Sequence, residues 1–522
     1  MPGLHAGIRC VADVAHHIAC TLRCPSGVRR AAPAADQLHL FVSCAPMNII
    51  ILGAGRVGES VAESLVSEKN DITVIDTSPE RLRGLQERLD LRGVAGNGIQ
   101  PSVLEAAGAR DADMLIACAS ADETNLVACK VAHSQFGIPT RIARLRSAEL
   151  QQGSPLLAVE GFAVDAVLCP EESVTATIRK LIEYPEALQV LEFAGGAVSM
   201  LAVRVVGGGP MVRHVISELP QLVPDVAMRF VAIYRQDAHG NDQRVVCDGN
   251  TRIEPGDEVF VLAATADIRR VLDTLRLRDA PVRRVMIAGG GRVGLRLARH
   301  IQGQYRIKLI EPNRERCEYL STQLGSEVLV LCGDATDEDL LEQEQVQDTD
   351  LFIAVTNDDE DNIMSCLLAK RMGAGRVVAL INRRAYAELV QGTQIDVALS
   401  PAQTVIGELL AHVRRGDVEA VYSLRRGAAE ALEAVARGDR KTSKVVGRRI
   451  DQIPLPPGAE IGAIVRGTEA AGPDGQPQPP QVIIPHHDTV IARDDHVIVF
   501  VPRKRQVREV EKLFQVGATF LF

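Results

Sequence analysis

The sequence is poor in aromatic side chains and in long apolar segments. None of its 522 residues is tryptophan, and only 3% are aromatic. No segment reaches the roughly 18 to 20 uninterrupted apolar residues that a membrane-spanning helix needs. We therefore expect a soluble chain that meets a membrane only through a partner protein or peripheral contact.

The sequence also lacks an excess of positive charge. The 58 lysine and arginine residues are outnumbered by 67 aspartate and glutamate residues, which gives a formal net charge of -9. Proteins that neutralise nucleic-acid phosphates usually carry a basic excess or a concentrated basic face. The composition therefore predicts no nucleic-acid partner.

Several motifs of catalysis and metal binding are missing. The sequence has no GxxxxGK[ST] phosphate loop, no HExxH zinc motif and no serine in a nucleophile-elbow context. Cys20 and Cys24 have a metal-like spacing without a matching second pair, and the histidines of "PHHD" at Pro485 are expected to face solvent. We predict no metal site and no catalytic residue.

The cysteines do not suggest a disulfide framework. Eleven are scattered along a large chain, and several lie in apolar, strand-like runs, such as Cys118 in "MLIACAS" and Cys332 in "VLVLCGD". Scattered cysteines in a chain of this size are typical of buried free thiols in a reducing compartment. We therefore expect these two thiols to be buried.

Residues 1–46 differ from the rest of the sequence. They are rich in alanine, arginine and histidine, show no sustained periodicity, and end directly before Met47 and the first apolar run. They also lack the apolar core of a signal peptide. We interpret them as a disordered leader or as the product of a mis-assigned upstream start codon.

What the sequence does contain is a long internal repeat. "GAGRVG" at Gly53 corresponds to "GGGRVG" at Gly289, "VIDTSPERL" corresponds to "LIEPNRERC", and "ADETNLVAC" corresponds to "DDEDNIMSC". A repeat of this length indicates two copies of one structural plan.

Each copy predicts a parallel sheet. Short runs of isoleucine, valine and leucine alternate with longer amphipathic stretches. The predicted strands are "NIIILG", "DITVID", "LRGVAG", "DMLIACA" and "TRIARLR", then "RRVMIAG", "RIKLIE", "EVLVLCG", "DLFIAVT" and "RVVALIN". Unbroken apolar runs are typical of strands covered on both faces. The predicted fold class is α/β, with two Rossmann-like, doubly wound parallel-sheet domains.

A small α+β domain is predicted behind each copy, because short alternating strands and a terminal helix follow there. The predicted boundaries are 1–46 for the extension, 47–170 for the first nucleotide-binding domain, 171–278 for a connecting helix and the first small domain, 282–400 for the second nucleotide-binding domain, and 401–522 for a connecting helix and the second small domain. The proline- and glycine-rich stretch at 469–480 predicts a surface loop.

The glycine-rich turns are the strongest functional signal. Each follows a strand, opens a helix and precedes an acidic residue at the end of the second strand. Gly53 permits a tight turn, Gly55 lets a pyrophosphate approach the backbone, and Gly58 lets the helix pack closely on the strand. The helix start presents unpaired N–H groups to the anion. The same roles are predicted for Gly289, Gly291 and Gly294.

Asp76 and Glu311 directly follow the second strands. A carboxylate at this place accepts hydrogen bonds from adenosine ribose hydroxyls and repels a 2′-phosphate. This favours NAD(H) or an adenine nucleotide over NADP(H). The alternative is an ordinary turn acid that supports the next helix.

Polar residues also stand at the ends of later strands, at the edge where open α/β sheets bind ligands. The third strands end in "AGNG" and "CGDA", and the fourth in "ACAS" and "AVTN". The fifth places Arg144 and Arg146 on one face of an apolar element. A buried guanidinium needs an anionic partner, either a bound phosphate or an acid such as Asp122 or Glu123.

The two copies differ at the fifth strand. Sequence spacing places Ile381 where the first copy has Arg144, and Arg383 where it has Arg146. We therefore expect two pockets that are not electrostatically identical.

From Met47 onwards the chain resembles the TrkA family, the cytosolic regulatory subunits of bacterial Trk potassium uptake systems, which are built from two successive RCK (KTN) units. Besides both glycine turns, the segments "YPEALQVLEFAGG", "KTSKVVGR" and "LPPGAEIGAIVRG" carry this resemblance. Residues 1–46 and the loop near 469–480 depart from it.

The resemblance implies a cytoplasmic regulator, not an enzyme, that lies at the inner face of the cell membrane. It implies NAD(H), with ATP or ADP as further occupants of the same pockets, a homotetramer, and an integral membrane potassium channel subunit of the TrkH or TrkG type as partner. The implied binding positions in the first copy are Gly53, Ala54, Gly55, Arg56, Val57, Gly58, Asp76, Asn97, Ala119, Ser120 and Arg144. In the second copy they are Gly289, Gly290, Gly291, Arg292, Val293, Gly294, Glu311, Asp334, Val355 and Thr356.

An NAD-dependent dehydrogenase is the alternative, because fold does not fix function. It explains the glycines and the acids equally well. A hydride-transfer enzyme, however, needs a substrate domain that places an acid or base over the nicotinamide. The small domains predicted here are short and offer no evident catalytic histidine or lysine.

Overall fold

The computed structural model describes residues 47–516, apart from residues 69, 148, 151, 238–241, 276–280, 391–394, 415–416, 425–427 and 468–479. The predicted extension at 1–46, with Cys20 and Cys24, lies outside the described residues. So does nearly all of the predicted loop at 469–480.

The first large unit (residues 48–168) is a six-stranded parallel sheet. Its strand order is β3-β2-β1-β4-β5-β6, so the order reverses between β1 and β4. The strands are β1 (Asn48–Leu52), β2 (Asp71–Asp76), β3 (Arg92–Ala95), β4 (Met114–Ala117), β5 (Thr140–Arg144) and β6 (Ala166–Leu168). The helices are α1 (Arg56–Val66), α2 (Pro79–Gln86), α3 (Pro101–Ala106) and α4 (Asp122–Val131). The predicted doubly wound sheet is confirmed, with β6 as a sixth strand that the sequence pattern missed.

A connecting helix and an antiparallel sheet follow. The connecting helix is α5 (Pro170–Glu183), and the first small unit (residues 187–275) has the strand order β10-β9-β11-β8-β7. Its elements are β7 (Ala187–Phe193), β8 (Val198–Arg204), α6 (Leu219–Leu222), β9 (Met228–Gln236), β10 (Asp242–Val245), β11 (Glu258–Ala264) and α7 (Ile268–Leu275).

The second large unit (residues 284–399) repeats the topology of the first, in the order β14-β13-β12-β15-β16-β17. Its strands are β12 (Arg284–Ala288), β13 (Arg306–Glu311), β14 (Val328–Cys332), β15 (Leu351–Ala354), β16 (Arg376–Leu380) and β17 (Val397–Leu399). Its helices are α8 (Arg292–Ile301), α9 (Arg314–Gln323), α10 (Glu338–Gln343), α11 (Asp359–Arg371) and α12 (Arg384–Leu389).

The second connecting helix, α13 (Pro401–Val413), leads to the second small unit (residues 418–514). Its strand order is β18-β19-β22-β20-β21. The elements are β18 (Val418–Leu424), β19 (Ala429–Val435), β20 (Glu460–Arg466), β21 (Gln481–Ile483), β22 (His496–Val501) and α14 (Val507–Phe514). Within the described ranges, no helix combines the length and the apolar character that a membrane crossing requires.

Each connecting helix packs on the large unit of the other copy. Ile178 of α5 belongs to the same buried core as Leu297 of α8, in the second large unit. Leu409 of α13 belongs to the same core as Leu65 of α1, in the first large unit. The two connecting helices also contact each other. This crossed packing of the connecting helices joins the two large units.

A buried ion-pair cluster holds the end of α13. Arg414, the next residue, has Nη1 2.7 Å from Glu68 Oε2 and Nη2 2.9 Å from Glu430 Oε2. Glu68 lies just after α1, and Glu430 belongs to β19. Burial raises the pKa of Glu430, while Arg414 opposes that shift. The cluster thus connects α13, the first large unit and the second small unit.

The two small units pack sheet against sheet. Phe260 and Leu262 of β11 share a core with Phe500 of β22. The approach is close at Gly462, where an added Cβ would lie 2.3 Å from Leu262 Cδ1. The Tyr422 hydroxyl donates a hydrogen bond of 2.8 Å to the carbonyl oxygen of Glu192 across this interface.

The cysteine prediction is half right. Cys118 is 4% exposed at the end of β4, and burial raises its pKa to about 12. Cys332 is exposed, contrary to the prediction. It is the last residue of the edge strand β14, which has a neighbouring strand on only one side. The apolar run before it therefore does not predict its burial.

Candidate functional site

The two glycine turns have the same backbone geometry. Gly53 has φ +104° and Gly289 has φ +106°, a conformation that residues with a side chain rarely adopt. A Cβ on Gly58 would lie 1.9 Å from the carbonyl oxygen of Gly53, and a Cβ on Gly294 would lie equally close to that of Gly289. Each turn and each close helix–strand contact therefore requires glycine.

The middle glycines occupy open space. Gly55 and Gly291 precede α1 and α8 with φ −78° and −66°, and an added Cβ would meet no atom within 4 Å. Neither helix has a side-chain cap at its N-terminus. The first N–H groups of a helix have no partner within the helix. These two turns therefore present uncapped donors where a ligand can approach the backbone.

Asp76 links its turn to the next helix. Its Oδ2 accepts a hydrogen bond from the Ala54 N–H at 2.7 Å, and its Oδ1 accepts one from the Ser78 N–H at 2.8 Å. The side chain of Ser78 caps α2. The supporting role that the sequence left as an alternative is therefore present. Each carboxylate oxygen keeps a second lone pair for a ribose hydroxyl.

Glu311 repeats this arrangement in the second copy. Its Oε2 accepts from the Gly290 N–H at 2.9 Å, and its Oε1 accepts from the Asn313 N–H at 3.0 Å. Arg316 adds a contact, because its Nε donates to the Gly290 carbonyl oxygen at 2.8 Å. The acid and the arginine together fix the second turn.

The repeated asparagines hold the ends of two strands. Asn125 is fully buried, and its Oδ1 accepts from the Ala119 N–H at 2.8 Å. Its Nδ2 donates to the carbonyl oxygens of Ala119 at 3.1 Å and Arg144 at 2.8 Å. Asn362 makes the corresponding contacts in the second copy. Sequence reasoning used these residues only to mark the repeat.

The predicted correspondence at the fifth strand is wrong by one residue. The N–H of Leu145 donates to the last residue of β6, and the N–H of Ile381 donates to the last residue of β17. Leu380 therefore stands where the first copy has Arg144, and Asn382 where it has Arg146. The error arose because the segment between the fourth and fifth strands is one residue shorter in the second copy. The expected difference in charge persists, since neither replacement is charged.

Two arginines share one carboxylate. Arg144 Nη2 lies 3.4 Å and Arg146 Nε 3.7 Å from Glu171 Oε1, in the first turn of α5. Among the described residues, neither arginine Nε has a hydrogen-bond partner. Burial and then Arg144 lower the pKa of Arg146, and Arg292 of the second turn acts in the same direction. This region therefore has an excess of positive charge.

Asp122, one of the acids proposed from sequence as partners of these arginines, opposes the fall in the pKa of Arg146. Asp122 Oδ2 accepts hydrogen bonds of 2.9 Å from the N–H groups of Arg146 and Ser147 and so binds the backbone. Glu171 was not identified from the sequence because it lies on the connecting helix, outside the repeat signatures.

Both turns line one cavity of about 760 Å³. The predicted residues along its wall are Gly53, Gly55, Arg56, Val57, Asp76, Asn97, Ala119, Ser120, Arg144, Gly291, Arg292, Val293, Val355 and Thr356. The predicted residues outside its wall are Ala54, Gly58, Gly289, Gly290, Gly294, Glu311 and Asp334. Asp334 is exposed, and its Oδ1 accepts hydrogen bonds from Thr336. The structure thus brings two thirds of the predicted positions together.

The cavity wall is rich in arginine. Its arginines are Arg56, Arg81, Arg144, Arg146, Arg292 and Arg316, and its carboxylates are Asp76 and Glu171. With the uncapped starts of α1 and α8, this arrangement suits an anionic ligand. Sequence reasoning missed Arg81 and Arg316. The signal was available, because both stand in the repeated "ER" after the second strands.

A separate polar group lies between the small units. His496 Nδ1 is 2.6 Å from Glu433 Oε1, and Glu433 Oε2 accepts a hydrogen bond of 2.8 Å from the Ala194 N–H. Glu419, Glu433 and His496 together form a set of side chains of a type that binds metal ions. The hydrogen bond to Glu433 is the main cause that raises the pKa of His496.

Family models match both halves of the chain. The TrkA-N domain matches residues 49–170 and 285–401, and the TrkA-C domain matches residues 440–515. The two TrkA-N matches cover the two large units, and the TrkA-C match lies in the second small unit.

Two relatives that align over their full length have the same name. The Trk system potassium uptake protein TrkA of Halomonas elongata is 52% identical over 474 residues, which cover 91% of this chain and 100% of the relative. The protein of the same name from Vibrio alginolyticus is 51% identical over 476 residues, with the same coverage.

Solved structures share the fold at low identity. The GsuK RCK domain aligns with a TM-score of 0.54 and 17% identity, over 90% of this chain and 96% of that chain. The GsuK channel bound to NAD aligns with a TM-score of 0.54 and 18% identity, over 90% of this chain and 79% of that chain. These matches confirm the predicted Rossmann-like and small α+β domains. The chain belongs to the TrkA family of Trk system potassium uptake proteins.

Proposed function

We propose that this chain is the nucleotide-sensing regulatory subunit of a potassium uptake system. It binds NAD(H) or an adenine nucleotide, ATP or ADP included, in the cavity between its large units, and so gates a membrane channel. The observation that carries the proposal is that two uncapped glycine turns and six arginines line one cavity. The names of the TrkA relatives and the NAD-bound GsuK channel support it.

Different residues on the cavity wall would contact different parts of the nucleotide. The N–H groups after Gly55 and Gly291 would hold pyrophosphate, and Arg144 and Arg146 would neutralise it. Asp76 would accept a hydrogen bond from the adenosine ribose through a free lone pair. The whole set of predicted binding positions remains part of this proposal, including Ala54, Asn97, Asp334 and Glu311.

Gating follows from the shared cavity. Nucleotide bound in the cavity that both turns line favours one relative position of the two large units, and α5 and α13 transmit that position because each packs on the opposite copy. A ligand shifts such an equilibrium only by its difference in affinity for the two states. Two nucleotides with opposite effects would each prefer a different state.

The wider setting belongs to the same proposal. The chain works as a homotetramer at the cytoplasmic face of the membrane, bound to an integral membrane channel subunit of the TrkH or TrkG type and not to nucleic acid. Its functional domains have the boundaries 47–170, 171–278, 282–400 and 401–522 given above.

We propose binding without catalysis. Among the described residues on the cavity wall there is no histidine or lysine. Both carboxylates on the wall already contact protein groups, Asp76 the backbone and Glu171 two arginines. A dehydrogenase would need a proton donor or acceptor near the nicotinamide.

Potassium uptake tests the proposal, with rubidium as tracer in cells that lack this chain. The test variant is Gly55→Asp plus Gly291→Asp, which adds two carboxylates to the cavity at positions with ordinary φ and open space. The matched control is Gly84→Asp plus Gly207→Asp. Both control sites are also open, and neither lies on the cavity wall.

The intact chain and the control are expected to restore uptake, and the cavity variant is expected not to. In parallel, purified cavity variant should unfold at the same denaturant concentration as the intact chain and lose NADH and ATP binding. Uptake that does not depend on the chain would refute the regulatory role. Full activity of a cavity variant that no longer binds nucleotide would separate binding from gating.

A further inference from the structure

We propose that Cys317 and Cys332 form a redox modification site in the second large unit. Peroxide oxidises this thiol pair to a disulfide, and the disulfide weakens nucleotide binding at the second turn. The first claim depends only on the geometry of the two thiols. The second rests on the proposed function.

The two cysteines lie on facing surfaces of a helix and a strand. Cys317 is buried on α9 and lies one turn before Leu320. Val328 belongs to the same core as Leu320, and Val330 packs against that core. Side chains two residues apart in a strand share a face, so Cys332 points to the α9 side of the sheet. The geometry therefore directs both thiols into the same space.

Hydrogen bonds place both sulfurs beside one short segment. Cys317 Sγ donates to the Glu311 carbonyl oxygen at 3.1 Å, and Cys332 Sγ lies 4.0 Å from the Pro312 carbonyl oxygen. Cys332 is also the direct neighbour of Glu311 in the parallel pairing of β13 and β14. Burial and then the nearby Cys332 thiol raise the pKa of Cys317 to about 11.

The unequal exposure of the two thiols determines which one reacts with peroxide and which one then forms the disulfide. Cys332 is exposed and meets the oxidant, whereas Cys317 is 8% exposed. The Cys332 thiolate attacks one oxygen of hydrogen peroxide, the O–O bond breaks, and the other oxygen leaves as hydroxide and takes up a proton. The Cys317 thiolate then attacks the Cys332 sulfur, and the sulfenic oxygen leaves as water. Overall, two thiols and one peroxide give one disulfide and two waters.

The disulfide acts on the second turn through Glu311 and Arg316. The hydrogen bond from Cys317 to the Glu311 backbone is lost when its thiol proton is lost. A bond to Cys332 also draws the first turn of α9, which contains Arg316, toward β14. Glu311 and Arg316 both hold Gly290 in the turn. Moving them displaces the donors that face the ligand.

The first copy provides an internal comparison. Leu82 occupies the place of Cys317, four residues after the capping residue of the helix, and Ala95 occupies the place of Cys332, beside the acid at the end of the second strand. The first turn therefore has no such thiol pair, and oxidation distinguishes two otherwise similar turns.

Peptide mapping tests the pair directly. The reduced full-length protein is treated with hydrogen peroxide, its free thiols are alkylated, and it is cut after glutamate. Cleavage at Glu318 and Glu327 separates the two cysteines, so only a disulfide keeps their peptides joined. We expect the joined peptide from the intact chain and from a Cys247→Ser control, and not from Cys317→Ser or Cys332→Ser. Absence of the joined peptide from the intact chain, with Cys332 merely oxidised to an acid, would refute the site.

Nucleotide affinity tests the consequence. In the Gly55→Asp background, NADH binding at the second turn is measured before and after oxidation. We expect binding to weaken about fivefold or more on oxidation, the scale of common allosteric couplings, and to stay unchanged when Cys317→Ser is added. Disulfide formation with unchanged affinity would refute the regulatory effect. Absence of NADH binding in the reduced intact chain would instead refute the proposed function, and the peptide map would still decide the thiol pair.

Discussion

At the scale of the residue, two glycines of the same turn differ in their tolerance to a side chain. Gly53 has φ +104°, and a Cβ there would lie 3.0 Å from the Cys118 carbonyl oxygen. Gly55 has φ −78° and open space around it. The first is needed to fold the turn, whereas the second leaves room for a ligand.

We predict opposite results for alanine at these two positions. Gly53→Ala should lower the free energy of unfolding by about 1–3 kcal/mol, because it forces an unfavourable φ and a close contact. Gly55→Ala should change it by less than about 0.5 kcal/mol, because its φ suits alanine. Denaturant unfolding of the two variants and the intact chain measures both. Equal losses at the two positions would contradict the geometry described for the turn.

At the scale of the element, the connecting helices determine how the halves are joined. The buried positions of α5 include Val174, Ile178 and Leu181, which lie on one face of the helix. This face covers α8 of the second large unit, and the corresponding face of α13 covers α1 of the first. Neither helix therefore stabilises mainly the unit that precedes it in the chain.

Amide hydrogen exchange tests whether each connecting helix packs mainly on the large unit of the other copy. Leu409→Ala on α13 should cost about 2–5 kcal/mol locally and speed amide exchange in α1 more than in α8, because the cavity it leaves lies in the core that α13 shares with the first large unit. Ile178→Ala on α5 should act most on α8.

Leu389→Ala is the matched control, since this leucine is 73% exposed, and it should affect neither helix. The assignment would be wrong if Leu409→Ala loosened α8 more than α1.

At the scale of the whole molecule, local and long-range features differ in how far the sequence predicts them. The glycine turns, the two acids and the parallel strands could be predicted because each depends on neighbours within one strand–turn–helix segment. The crossed packing of α5 and α13 could not be predicted, because an amphipathic helix face does not indicate which large unit it covers. Glu171 was missed for the same reason, and Cys332 was misjudged because an edge strand leaves one side uncovered.

The shared cavity predicts that the two turns are coupled. Gly55→Asp adds a carboxylate to a space that Arg292 of the second turn also lines. The added charge lowers the positive potential around both turns, because the wall between them is partly buried and poorly screened by salt. NADH affinity at the second turn should therefore fall about fivefold or more, although no residue of that turn has changed.

Calorimetric titration of the intact chain, Gly55→Asp and Gly291→Asp measures this coupling. Independent pockets would leave the intact turn of each single variant with its original affinity, whereas a common cavity weakens it in both. Gly207→Asp adds the same charge to the first small unit, off the cavity wall, so it should leave every affinity unchanged. Original affinity at the remaining turn in both single variants would mean that the two copies bind separately. Gating would then have to arise from contacts between chains.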